Sequence, residues 1–129
     1  MMVRKLSVAL TVKKASGLIW SPSMYNPTIF FGGHRCEMQL GRYSNGNKAI
    51  LLIDDVDSSP VAYATVNVND VELADNEVMI KDYSENKGML DALQDSKVVE
   101  RVVDVVQSGY VDIPVVTINP ELVKNFEEI

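Results

Sequence analysis

Residues 42–54, Arg-Tyr-Ser-Asn-Gly-Asn-Lys-Ala-Ile-Leu-Leu-Ile-Asp, decide the fold. Asn45-Gly46 tolerates positive φ at low cost, so Ser44–Asn47 is read as a type I′ hairpin turn. Two extended runs flank it, 34–43 and 48–54. They pair naturally around it as an antiparallel hairpin.

Outward from this hairpin, the chain continues to read as strands. Asp54–Pro60 is a polar turn, and residues 60–68 (PVAYATVNV) alternate as one strand with a small apolar face. Residues 77–81 form a short strand, 98–106 a run of β-branched residues, and 110–118 a strand whose Pro114 predicts an edge position or a bulge. Upstream, Thr28–Phe31 is a short strand ending at Gly32-Gly33, and 15–27 an irregular loop anchored by Trp20 and Tyr25. Met2–Val12 reads as a first strand. Its apolar run, Leu6–Val12, is far shorter than the roughly 20 residues of a membrane span, and the sequence after it is a poor signal-peptide cleavage site.

Two helices interrupt the strands. Ser84 is expected to cap a helix reaching Asp95, with Met89, Leu90 and Leu93 as its apolar stripe and Gly88 as a weak point inside it. Asn119-Pro120-Glu121 opens a second: cap, first-turn proline, first-turn acid. The expected fold class is α+β, a mainly antiparallel sheet of about seven strands with two short helices. The 129 residues make one domain: an arm at 1–33, a core at 34–118 and a C-terminal helix at 119–129.

Composition removes several chemistries. Cys36 is the only cysteine, so no intrachain disulfide forms, and a reducing cytoplasm fits. His34 is the only histidine, too few ligands for a structural zinc site. No P-loop, G-x-G-x-x-G or nucleophile elbow occurs. His34, Cys36 and Glu37 read as a strand with a buried thiol and a half-exposed imidazole. Asp54, Asp55 and Asp57 read as a solvated turn without EF-hand spacing. No catalytic residue, metal or cofactor is assigned, and an enzyme is the least favoured class because nucleophile, base and metal ligands do not converge.

Charge is divided along the chain. Residues 1–48 hold seven basic residues and one acid, while 49–129 hold five basic residues and seventeen acids. Such asymmetry marks a bipolar surface or pairing inside the fold. An acidic face is predicted from Asp54, Asp55, Asp57, Asp70, Glu72, Asp75, Glu77, Asp82 and Glu85. Lys81, Tyr83, Ser84 and Asn86 form a second candidate patch where the first helix opens.

Four stretches carry a family resemblance: RYSNGNKAILLI, PVAYATVNV, IKDYSENKGML and SGYVDIPVVTI. They resemble a family of small proteins, catalogued as a domain of unknown function, from phages, conjugative plasmids and integrative elements. The resemblance covers about residues 34–118. It implies a part in the contest between mobile DNA and host defence, such as an anti-CRISPR-like inhibitor in the host cytoplasm. Where that family favours an acid this chain has Lys87, so the capping box from Ser84 is lost. Either Asp82 and Glu85 replace it, or the helix start is weaker.

Three functions are then expected in order. The first is a non-catalytic inhibitor whose acidic face enters the nucleic-acid channel of a host defence protein or ribonucleoprotein. The second is a small-ligand binder, for a nucleotide signal, using Ser84–Gly88 with Arg42, Lys48 or Lys81. The third, less favoured, is nucleic-acid binding by the basic first part, with Trp20, Tyr25, Phe30 and Phe31 among Lys13, Lys14 and Arg35. Val-rich residues 98–106 leave room for a homodimer.

Overall fold

A computed structural model describes residues 19–129. The strand expected over Met2–Val12, with Lys13 and Lys14, lies outside the described residues. The elements run β1 (Ser21–Pro22), β2 (Ile29–Phe31), β3 (His34–Arg42), β4 (Lys48–Asp54), β5 (Pro60–Tyr63), β6 (Glu77–Met79), α1 (Met89–Asp95), β7 (Val99–Ser108), β8 (Val111–Ile118) and α2 (Pro120–Glu127). The class is α+β with every pairing antiparallel, but the strands divide into two sheets. The first has the order β1-β3-β4-β5, with β2 also on β3; the second has the order β6-β8-β7.

The hairpin β3–β4 sits where the sequence places it, from Cys36↔Asp54 to Arg42↔Lys48. Its turn is of another type. Of its residues only Gly46 has positive φ, +90°. Gly46 N–H donates to Tyr43 O (2.8 Å) and Tyr43 N–H to Asn47 O (2.8 Å). This is a three-residue loop, a type I turn closed by a glycine bulge. Asn45 is free of positive φ because its side chain accepts from Asn47 N–H at 3.1 Å. The type I′ turn occurs instead between β2 and β3, where Gly32 and Gly33 both have positive φ.

The alternating run 60–68 is not one strand. β5 ends at Tyr63, and Thr65 then bridges to Ile80, just past β6 of the second sheet. Ala64 N–H still donates to Ile50 O, whereas Val66 N–H donates to Met79 O. The Thr65 hydroxyl accepts from Ile50 N–H at 3.0 Å and bonds Tyr43 OH at 3.1 Å. One continuous core runs across this junction, from Met38, Leu40, Ile50 and Leu52 to Val78, Ile80, Val116 and Ile118.

Pro114 lies in the central strand of the second sheet, not at an edge. Its carbonyl accepts from Ile80 N–H just past the end of β6, so the donor that proline lacks would fall beyond the ladder. β7 is an edge within the described residues. It carries two register shifts, and Val105 N–H is taken by the Asp104 carboxylate at 2.8 Å. Bulges and an inward carboxylate of this kind blunt an edge against further pairing.

α2 starts as the sequence predicts, with Asn119 Oδ1 accepting from Glu121 N–H at 2.9 Å. Phe126 is fully buried beneath two cations. Arg42 and Lys48 lie 6.0 and 5.6 Å from its ring centre, and Arg42 also donates to Phe126 O at 2.9 Å. Burial, then the nearby Arg42 charge, pushes the proton affinity of Lys48 down.

Thr65→Val leaves Ile50 N–H and Tyr43 OH without their buried partner, so a loss of about 1–3 kcal/mol is expected in a urea titration. Thr65→Ser should recover most of it.

Candidate functional site

The turn that opens α1 is built by Asp82. Its carboxylate accepts from Gly88 N–H at 3.1 Å and Leu90 N–H at 3.0 Å. Ser84 is not the cap. It has φ +54°, opens a 3-10 turn over Ser84–Asn86, and α1 begins only at Met89. The physical reason is reach: a carboxylate six residues upstream meets two free N–H groups that the Ser84 hydroxyl does not. Gly88, with φ +99°, stands at the cap rather than inside the helix, where its freedom is required.

The other patch residues are committed nearby. Lys81 pairs with Glu85 at 2.5 Å, and its ammonium lies 5.8 Å from the Tyr83 ring centre. Tyr83 packs against the second apolar cluster, around Val71, Met79, Ile113 and Val115. Asn86 is buried and donates to Tyr63 O at 2.6 Å. Ser84 stays in solvent. Lys81, Tyr83 and Asn86 thus tie the segment before α1 to the two sheets, with Ser84 in solvent, rather than converging on one point.

The nine predicted acids are distributed over three places. Asp54, Asp55 and Asp57 lie in the turn after β4. Asp54 accepts from Val56 N–H at 2.8 Å and pairs with His34 Nδ1 at 2.9 Å. Asp55 pairs with Arg35 at 2.6 Å, and Asp57 accepts from Ser59 N–H and Oγ. The His34 bond, then the Val56 N–H, holds the Asp54 carboxyl below its ordinary range. Asp75 lies in the connection between β5 and β6, and its charge partly offsets the lowering of the Lys48 proton affinity. Glu77 is buried and accepts from Ala74 N–H at 2.8 Å, and Asp70 is half-buried with φ +70°. Asp82 and Glu85 belong to the α1 turn. Asp57, Glu72, Asp75 and Glu85 remain exposed.

The cations expected to hold a nucleotide have different partners: Phe126 for Arg42 and Lys48, Glu85 for Lys81. In the first part of the chain, Arg35 is engaged with Asp55, and Trp20 lies over Gly41 beside Tyr43 and Ala49. Cys36 is buried with its thiol on His34 O, and burial, then the Asp54 charge, pushes the thiol up toward its neutral form.

Two depressions flank the α1 turn. One of about 190 Å³ lies between β5 and the 3-10 turn, lined by Tyr63, Lys81 and Asn86 among others. The larger, about 380 Å³, is an open groove between the end of β2 and α1. Its walls carry Phe30, Phe31, Glu85, Lys87, Asp91 and Asp95. Sequence places Phe30 among basic residues, whereas the structure sets it beside Asp91 and Asp95. The available signal was their i,i+4 spacing on a predicted helix.

No protein-family model, curated protein or solved structure matches the chain. No helix among the described residues is long and apolar enough to cross a membrane.

If Asp82 is the cap, Asp82→Ala costs about 0.5–2 kcal/mol while Ser84→Ala moves the denaturation midpoint little. Equal effects would restore Ser84 to the role. Acid titration gives a second check. Asp54, Asp57 and Glu85 are all held low, by His34, Ser59 and Lys81 respectively. A lowered carboxyl stabilises the fold above its unfolded value, near 4, and the gain is lost as pH falls through the folded value. Asp54→Asn should therefore flatten the stability loss below about pH 4.

Proposed function

We propose that the chain is a non-catalytic protein of a mobile genetic element that binds and inhibits a host defence complex, an anti-CRISPR-like or other anti-defence inhibitor working in the host cytoplasm. The family resemblance of residues 34–118 suggests the setting. The observation that carries a binding role is the excess of acids over basic residues among the described residues. Residues 19–129 hold eight basic residues and all eighteen acids. Of the basic residues, Arg35 and Lys81 are in ion pairs, Arg42 is bonded to backbone carbonyls, and Lys48 is buried. Asp57, Glu72 and Asp75 stand in solvent.

Such a surface suits a basic nucleic-acid channel. Complementary potentials would speed encounter and set register, with salt weakening the contact. The decisive experiment is inhibition of a defence ribonucleoprotein reconstituted with its nucleic-acid target. Inhibition should fall as salt rises from about 0.05 to 0.5 M. The triple variant Asp57→Lys, Glu72→Lys, Asp75→Lys should lose it. Undiminished inhibition by a folded triple variant would remove the acidic-surface mechanism.

A further inference from the structure

We infer that the groove between β2 and α1 is a docking site for a basic protein segment, taking an arginine side chain with its guanidinium flat on Phe30 and paired with Asp91 and Asp95. This rests on the reading of the chain as a partner-binding protein and names a site and a chemistry within it.

Three features of the groove favour that occupant. Phe30 is 70% exposed at the end of β2, an aromatic face in solvent where a folded chain gains by covering it. Its cross-strand neighbour Arg35 is already engaged with Asp55. The lining charge is negative: Glu85, Asp91 and Asp95 against Lys87 alone. Of these acids, Glu85 is held by Lys81, while no ion pair among the described residues involves Asp91 or Asp95.

The third feature is electrostatic conflict in α1. Asp91 and Asp95 are four residues apart, so two like charges share one face of a seven-residue helix. Asp95 also occupies the last turn, where the helix dipole is negative and a cation belongs, and no basic residue lies in that turn. Both placements weaken the free helix. A cation set between the two carboxylates removes both penalties at once. Local conflict that no described residue compensates marks a site that a bound cation can relieve.

Arginine fits better than lysine. Its planar guanidinium stacks on an aromatic ring and offers donors in a fork that two carboxylates can share, whereas an ammonium is a hydrated point charge.

The probes are a hexa-arginine and a hexa-lysine peptide, titrated into the 15N-labelled full chain and followed by amide shifts. The expected result is saturable shifts at Phe30, Gly32, Lys87, Asp91 and Asp95, with the arginine peptide bound more tightly. Phe30→Leu keeps apolar area without the ring, and should weaken arginine binding about three- to tenfold. Asp91→Asn and Asp95→Asn should both weaken it, and Asp95→Asn should also raise Tm by about 1–3 °C, because it relieves the repulsion and the opposition to the dipole, whereas Asp91→Asn gives up a first-turn acid that the dipole favours. Absence of saturable shifts, shifts centred on Asp57 or Asp75, or full affinity in folded Phe30→Leu would each overturn the inference. Its failure is separable from that of the inhibitor reading. If the Asp57, Glu72, Asp75 triple variant abolishes inhibition while the groove variants inhibit fully, the groove assignment falls and the inhibitor reading stands. If the groove binds arginine but the chain inhibits no defence complex, the reverse holds.

Discussion

The hydroxyl of Thr65 ties the two sheets together. It takes the Ile50 N–H from the central strand of the first sheet and the Tyr43 OH from the end of β3, while the Thr65 backbone bridges Ile80 beside the second sheet. An N–H buried at that point needs a partner, because leaving it unpaired costs as much as several exposed contacts gain. β5 has ended at Tyr63, so the partner comes from a side chain. The chain changes sheets there without leaving a donor unpaired, and the apolar core continues beneath the junction.

That junction sets where α1 lies. Lys81 N–H donates to Ala64 O, and Asn86 donates to Tyr63 O, so both ends of the 81–86 segment are fastened to residues beside Thr65. Asp82, held within this segment, reaches the first N–H groups of α1. Met89 and Leu93 are then turned into the core, and Asp91 and Asp95 away from it toward the end of β2. The groove is thus a product of the sheet junction, and its walls come from segments some sixty residues apart in sequence.

The legible parts of the fold were those decided by local chemistry. An Asn-Gly turn between two extended runs gave the β3–β4 pairing, a proline after an asparagine gave α2, and both stand where expected. The illegible parts were decided by distant groups. Alternation from Pro60 to Val68 is the same whether a strand continues or crosses to another sheet, since both conformations are extended. Ser84 looks like a cap because capping is usually local, yet Asp82 reaches past it. Asn-Gly fits two hairpin turns, and the choice was made by the Asn45 side chain bonding Asn47. For the site, sequence found the surplus of acids but not its distribution. Asp54, Asp55, Glu77 and Asp82 each became part of a turn, pair or cap, which no spacing rule discloses.

The way those acids are used separates two kinds of negative charge on one scaffold. Asp54, Asp57 and Asp82 accept backbone N–H groups, so their charge stabilises the fold that carries it. Asp91 and Asp95 do the opposite: they repel each other along α1, and Asp95 opposes the helix dipole. A seven-residue helix has little intrinsic stability to set against this and depends on Met89 and Leu93 in the core. A lysine or glutamine in place of Asp95 would strengthen the helix at no cost to packing, because that side chain stands in solvent, whereas Asp91 in the first turn is favoured by the dipole. The Asp95 carboxylate therefore adds nothing to the stability of α1, and the exposed ring of Phe30 adds nothing to the core. Those two unfavourable exposures face the same groove, and a single planar cation satisfies both.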